Sequence, residues 1–132
     1  MKILDIAYRS NNKLESLFSN LYPRPFNYKG KDYRSVEHAY QTLKSGEFDS
    51  IAYNKTNLKP IGVKPVNKAI SFSLMEELIY ENLNQNPVMI DILIQENWLE
   101  DYKILHRLDR GFWRENFPKA LISAINKIKM KG

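Results

Sequence analysis

The sequence predicts one compact, mainly α-helical domain over residues 1–132, with a small β element near its N-terminus. Three observations carry that expectation. Apolar residues recur at helical spacing in several segments, as where Val36, Ala39, Tyr40 and Leu43 fall at i, i+3, i+4 and i+7. A strand–turn–strand pattern runs from Phe26 to Tyr33, with Lys29 and Gly30 at the turn, where glycine readily supplies a positive φ. The length suits a single hydrophobic core, and no repeat, linker or low-complexity tract divides it.

Ile3 to Tyr8 reads as a short strand, and Arg9 to Leu17 as a polar connection containing Asn11 and Asn12. Pro23 and Pro25 exclude regular helix around Tyr22. That stretch is expected to hold a fixed irregular path presenting Asn20, Tyr22 and Phe26 to a pocket, although the aromatic rings suit a core equally well. After the hairpin, Ser35 is placed to cap a helix, its hydroxyl accepting from an otherwise unpaired backbone N–H. Ser45 and Gly46 end that helix, and a short helical turn covers Phe48 to Tyr53. Thr56 to Pro65 reads as a loop punctuated by Pro60, Gly62 and Pro65.

Leu74, Met75, Leu78, Ile79 and Leu83 form the apolar face of a long helix, with Glu76, Glu77 and Glu81 opposite. Pro87 suits the first turn of the next helix, which is expected to bury Val88, Met89, Ile92 and Leu93. Trp98 to Leu108 reads as a further helical segment with Leu99, Tyr102 and Leu105 on its apolar face. Asp109 to Trp113 then reads as a break, and Pro118 as the opening of a last helix striped by Leu121, Ile122, Ile125 and Ile128. Lys127, Lys129 and Lys131 at its end complement the helix dipole.

Composition narrows the function. There is no cysteine, hence no disulfide or thiolate ligand, and the two histidines, His38 and His106, are too few for a dedicated zinc site. No metal or other cofactor is expected. The best apolar run, Val88 to Ile94, is short and interrupted by Asp91, and Asp5 interrupts the N-terminal one. The expectation is therefore a cytoplasmic protein without a membrane partner. The net charge of +5 is uneven: +4 over residues 1–44, −4 over 45–106 and +5 over 107–132. Basic ends favour phosphates, nucleotides or nucleic acid, and also suit a protein that is merely soluble and basic. No glycine-rich phosphate loop is present, so a nucleotide would rest on side chains and helix N-termini. Arg9, Arg34 and His38 are candidates for phosphate, and Trp113 beside Phe112 offers a flat apolar surface to a purine or nicotinamide ring.

Glu37, Gln41 and Lys44 form a second, polar line on the Ser35 helix. Seven residues at about 100° each return almost to one azimuth, putting Glu37 and Lys44 on one face ~10 Å apart. That spacing leaves room for a ligand and equally suits a solvated charged face. A lysine near other cations, or partly desolvated, acts as a nucleophilic amine. Its attack on the anomeric carbon of a ribose would open the sugar through a Schiff base, with Glu37 shuttling a proton to the leaving base. The alternative uses carboxyl groups alone, one protonating the base and another activating water.

Residues 18–44 read FSNLYPRPFNYKGKDYRSVEHAYQTLK. This stretch resembles the NADAR, or YbiA-like, family, whose motif has the form F-S-N-x-Y-P-x-P-F-x-x-x-G-K-x-aromatic-x-S-V-E-H-x-x-Q-x-x-K. Every fixed position from Phe18 to Lys44 matches in order. The resemblance implies a YbiA-like domain over residues 1–132 in which Glu37 and Lys44 are catalytic. It implies an N-glycosidase that removes ADP-ribose from guanine in nucleic acid, or one that hydrolyses ribosylamino intermediates of riboflavin biosynthesis. A non-catalytic module for ADP-ribose or NAD is a further reading. The family's C-terminal Asp-x-x-Trp-Gly motif adds Asp109 as a catalytic candidate, and Arg9 matches an arginine that follows the first strand. Here three residues separate Asp109 from Trp113, Arg114 replaces the glycine, and only Asn116 remains of a following Gly-x-Asn-x-Leu-Gly stretch. Asn82 and Leu83 stand where the family carries Lys-Phe. The expected site thus joins Glu37, Lys44 and Asp109, with Arg9, Asn20, Tyr22, Phe26, Arg34, His38, Gln41 and Trp113 around an ADP-ribosyl or ribosylamino nucleotide.

Overall fold

The computed structural model describes residues 1–55 and 61–131. About half of the chain is helical. The elements run β1 (Lys2–Asp5), α1 (Lys13–Leu17), β2 (Phe26–Tyr28), β3 (Lys31–Tyr33), α2 (Val36–Leu43), α3 (Ser50–Tyr53), α4 (Ser71–Asn84), α5 (Pro87–Gln95), β4 (Tyr102–Leu105) and α6 (Phe112–Lys131). Helix α4 is the axis. It packs along α6, supports α2 and α5, and touches β2. Met75, Leu78 and Leu83 of α4 meet Phe117, Leu121 and Ile125 of α6 in one core that also takes Leu4 and Ile6 from the N-terminal strand region.

Local chemistry sets the ends of the elements near the site. Strands β2 and β3 form an antiparallel hairpin with Phe26 opposite Tyr33. The two turn residues, Lys29 and Gly30, both have positive φ, the pairing that matches the twist of a tight hairpin. The Ser35 hydroxyl accepts from His38 N at 3.1 Å and starts α2. Gly46, at φ 94°, lets the chain turn out of the helix, and its N–H closes on Leu43 O at 2.9 Å.

The structure departs from expectation in the C-terminal third. Residues 98–108 do not form a helix. Asn97, Trp98 and Leu99 all lie at left-handed φ of 50–60°, a turn that costs L-residues roughly 1–2 kcal/mol each. Tyr102–Leu105 then runs as β4, parallel to β1, with Lys2 opposite Tyr102 and Asp5 opposite Leu105. Apolar residues at 99, 102 and 105 fit a helix. The alternation that buries Ile104 fits a strand, and a strand partner about a hundred residues away decides between them. Pro118 lies inside α6, which already begins at Phe112, so Phe112 and Trp113 are helical.

Smaller departures follow the same logic. Asn12, read as a loop signal, caps α1 by accepting from Leu14 N and Glu15 N. Strand β1 ends at Asp5, although Ile6 N still donates to Leu105 O. Val88 and Ile122 face outward, at 64% and 45% exposure, while Met89, Leu93, Leu121 and Ile125 fill the core. The N-terminal part of the expected loop, through Pro60, lies outside the described residues.

One buried polar contact ties the proline-bracketed segment to the axis. Arg24 Nε donates to Asn82 Oδ1 at 2.7 Å, Arg24 Nη1 donates to Leu17 O at 2.9 Å, and Asn82 Nδ2 returns a bond to Arg24 O at 2.7 Å. Burial lowers the guanidinium pKa to about 10. Because a buried cation without its acceptor is costly, we predict that Asn82→Leu destabilises the fold by about 2–4 kcal/mol in urea unfolding, and that Arg24→Met beside Asn82→Leu recovers half or more of the loss.

Candidate active site

Helix α2 offers two faces. Val36, Ala39 and Tyr40 are buried, while Glu37, Gln41 and Lys44 line the opposite edge. The space expected between Glu37 and Lys44 is filled by a hydrogen-bonded chain. Lys44 Nζ donates to Gln41 Oε1 at 2.7 Å, and Gln41 Nε2 donates to Glu37 Oε1 at 2.6 Å. From the proline-bracketed segment, Asn20 Nδ2 donates to Glu37 Oε2 at 2.5 Å, while Glu37 N donates to Asn20 O at 2.9 Å. Asn20 therefore holds both the backbone and the carboxyl of Glu37.

Three hollows meet along this edge, and Gln41 lines all of them. The first, about 400 Å³, brings Asn20, Glu37, Gln41, His106, Asp109 and Trp113 together over Met75 and Phe117. The second, about 390 Å³, lies beyond Tyr40, Gln41 and Trp113 and carries Lys44, Lys68, Val66 and Phe112. The third, about 230 Å³, shares Glu37 and Gln41 with the first and is bordered by Arg34, His38 and Lys55. Glu37 and Asp109 thus face one hollow, and Lys44 faces its neighbour.

The Glu37 carboxyl has a raised pKa. Burial is the largest cause, and the Gln41 and Asn20 donors, with Lys55 and Lys44 beyond them, offset it only in part. Such a group keeps its proton at higher pH than an exposed glutamate and suits a general acid. Asp109 is half-buried and uses one oxygen in a turn, with Oδ1 accepting from Gly111 N at 2.9 Å. Trp113 stands between the first two hollows, edge-on to Tyr40 with ring centroids 5.6 Å apart.

Other expected site residues have structural duties. His38 borders the third hollow, but both ring nitrogens are taken: Arg34 N donates to Nδ1 at 2.9 Å, and Nε2 donates to Tyr53 O at 2.9 Å. Desolvation, with Arg34 nearby, lowers its pKa and favours this neutral ring. Arg34 Nη2 donates to Lys55 O at 3.3 Å at the mouth of that hollow. Phe26 is buried against Tyr33. Tyr22 lies between the cations of Lys13 and Arg24, 5.4 and 5.2 Å from its ring centre. Neither aromatic lines these hollows, and Arg9 is exposed and lines none of them.

Sequence reasoning missed His106, Lys55 and Lys68. His106 Nδ1 donates to Trp113 O at 2.9 Å, and its ring packs on Phe117. Only the run of β4 beside α6 brings it to the hollow. No periodicity or motif marks it. Among the described residues, no group of three or more His, Asp or Glu side chains is placed to hold a metal ion.

A carboxyl with a higher pKa in the fold than in the open chain binds its proton more tightly when folded. Its stabilising contribution is complete below the ordinary value near 4.5 and is lost as pH rises through the folded value. Glutamine preserves both contacts once Asn20 turns its amide. We predict that Glu37→Gln matches wild type in Tm near pH 4.5 and exceeds it by roughly 2–5 °C at pH 7.5, as read by scanning calorimetry. Comparison with protein-family models, with characterised proteins and with solved structures finds no match to this chain.

Proposed function

We propose that this protein is an N-glycosyl hydrolase that removes ADP-ribose from ADP-ribosylated guanine in nucleic acid. One observation carries the reading: Glu37, with a raised pKa, and Asp109 line the same hollow, walled by Trp113. The likeness of residues 18–44 to the NADAR motif supports the same chemistry. Glu37 gives its proton to the leaving guanine nitrogen as the C–N bond breaks and its electron pair passes to the base. Water adds to the anomeric carbon and yields its proton to Asp109, so the products are free ADP-ribose and guanine within the strand. Trp113 offers a stacking face, and Lys44 with Lys68 in the adjoining hollow suits the diphosphate.

Gln41 engages Lys44 in the resting arrangement, which favours the carboxyl-only route over an imine. An imine route requires the amine to leave Gln41 and attack the anomeric carbon. Borohydride added during turnover separates the two, because a trapped adduct on Lys44 would assign the amine the nucleophile's role. A lysine that only binds phosphate gives no adduct.

The test is incubation with an oligonucleotide bearing ADP-ribosylated guanine, with chromatographic detection of free ADP-ribose. Wild type is expected to release it. We predict that Glu37→Gln and Asp109→Asn each lower kcat by about 10²-fold or more. Trp113→Ala raises KM by about tenfold and leaves more of kcat. Tight binding without release would replace the hydrolase with a module that only recognises ADP-ribose.

A further inference from the structure

Outside the candidate active site, a concavity of about 550 Å³ lies between β4 and the first turns of α6. Its floor is apolar, from Ile104, Leu105, Pro118 and Ile122. Its rim sets Arg107, Arg114 and Lys119 against one acid, Glu115. His106 lines both this groove and the hollow of Glu37 and Asp109, so one side chain borders both concavities. Arg114 marks the same junction, with Nη1 donating to Arg107 O at 2.9 Å and to Asp109 O at 3.5 Å.

We infer that this groove seats the single-stranded nucleic acid flanking the modified guanine, with phosphates on the basic rim and bases on the apolar floor. The inference rests on the proposed function and adds where the strand runs. An enzyme acting on a substituent of a base needs that base free of its stack, and the neighbouring nucleotides then need a track beside the reacting centre. Cations over an apolar floor are the means by which a single strand is held without regard to sequence. Arg107 pairs with Asp5 at 3.1 Å, which offsets one charge, and Arg114 and Lys119 against Glu115 leave the rim net positive. β4 pairs only with β1 among the described residues, so an extended peptide is the rival occupant, but the net positive rim favours a polyanion.

The test uses the whole chain and a fluorescent, unmodified oligonucleotide of about ten nucleotides. Neutralising three phosphates of a single strand predicts a slope of about −2 in log affinity against log salt. Lys119→Glu and Ile122→Asp are expected to weaken binding about fivefold or more, and Glu115→Lys to tighten it. With ADP-ribosylated substrates, Lys119→Glu should raise KM for the oligonucleotide and leave hydrolysis of ADP-ribosylated guanosine unchanged. Equal affinities across wild type and these three variants, equal losses on both substrates, or capture of an extended peptide in place of the oligonucleotide would each overturn the assignment. If wild type hydrolyses neither substrate, the proposed function fails, while the binding series still decides the groove.

Discussion

The reciprocal bonding of Asn20 and Glu37 is the constraint on which the site depends. Asn20 O takes a backbone N–H that the first turn of α2 cannot satisfy within the helix, and Asn20 Nδ2 takes a carboxyl oxygen of the same residue. Two bonds between one pair of residues fix both the approach of the irregular segment and the direction of the Glu37 side chain. Hydrogen bonds to a charged group contribute more than neutral ones, about 1.5–3 kcal/mol, and here they act against the cost of burying a carboxylate. Burial still wins, because the pKa stays raised. A buried carboxyl is thus kept at some expense to the fold.

That expense is absorbed by the packing behind α2. Tyr40 has one side in the core and another against Trp113, so a single residue joins the hydrophobic cluster to the partition between two hollows. The Arg24–Asn82 contact anchors the far end of the Asn20 segment to α4. Asn20 is therefore gripped from both directions, by α2 through Glu37 and by α4 through Arg24. A carboxyl positioned in this way loses little freedom when a ligand arrives, which is the physical content of preorganisation.

Gln41 carries a second constraint. Its amide has one donor end and one acceptor end, and Glu37 and Lys44 take one each, so its orientation is determined by charge on either side. Acid and amine communicate through it without touching. The basic groups then fall into separate places: Lys44 and Lys68 beside the second hollow, Arg34 and Lys55 at the third, and Arg107, Arg114 and Lys119 along the groove of α6.

By itself, the sequence determined what is local. The tight turn at Lys29–Gly30, the Ser35 cap, the release of α2 at Gly46 and the single polar edge of Glu37, Gln41 and Lys44 all depend on residues within a few positions of one another, where steric limits and helical spacing act without help. The apolar stripe of α4 was legible for the same reason. Tertiary structure alone decided the rest. Whether residues 102–105 became strand or helix turned on β1, nearly a hundred residues earlier, and only with β4 in place do His106 and Asp109 arrive beside Glu37. A run of ambiguous periodicity has no preference strong enough to choose, so the free energy of a distant hydrogen-bonded partner chooses for it, and the membership of the site follows that choice.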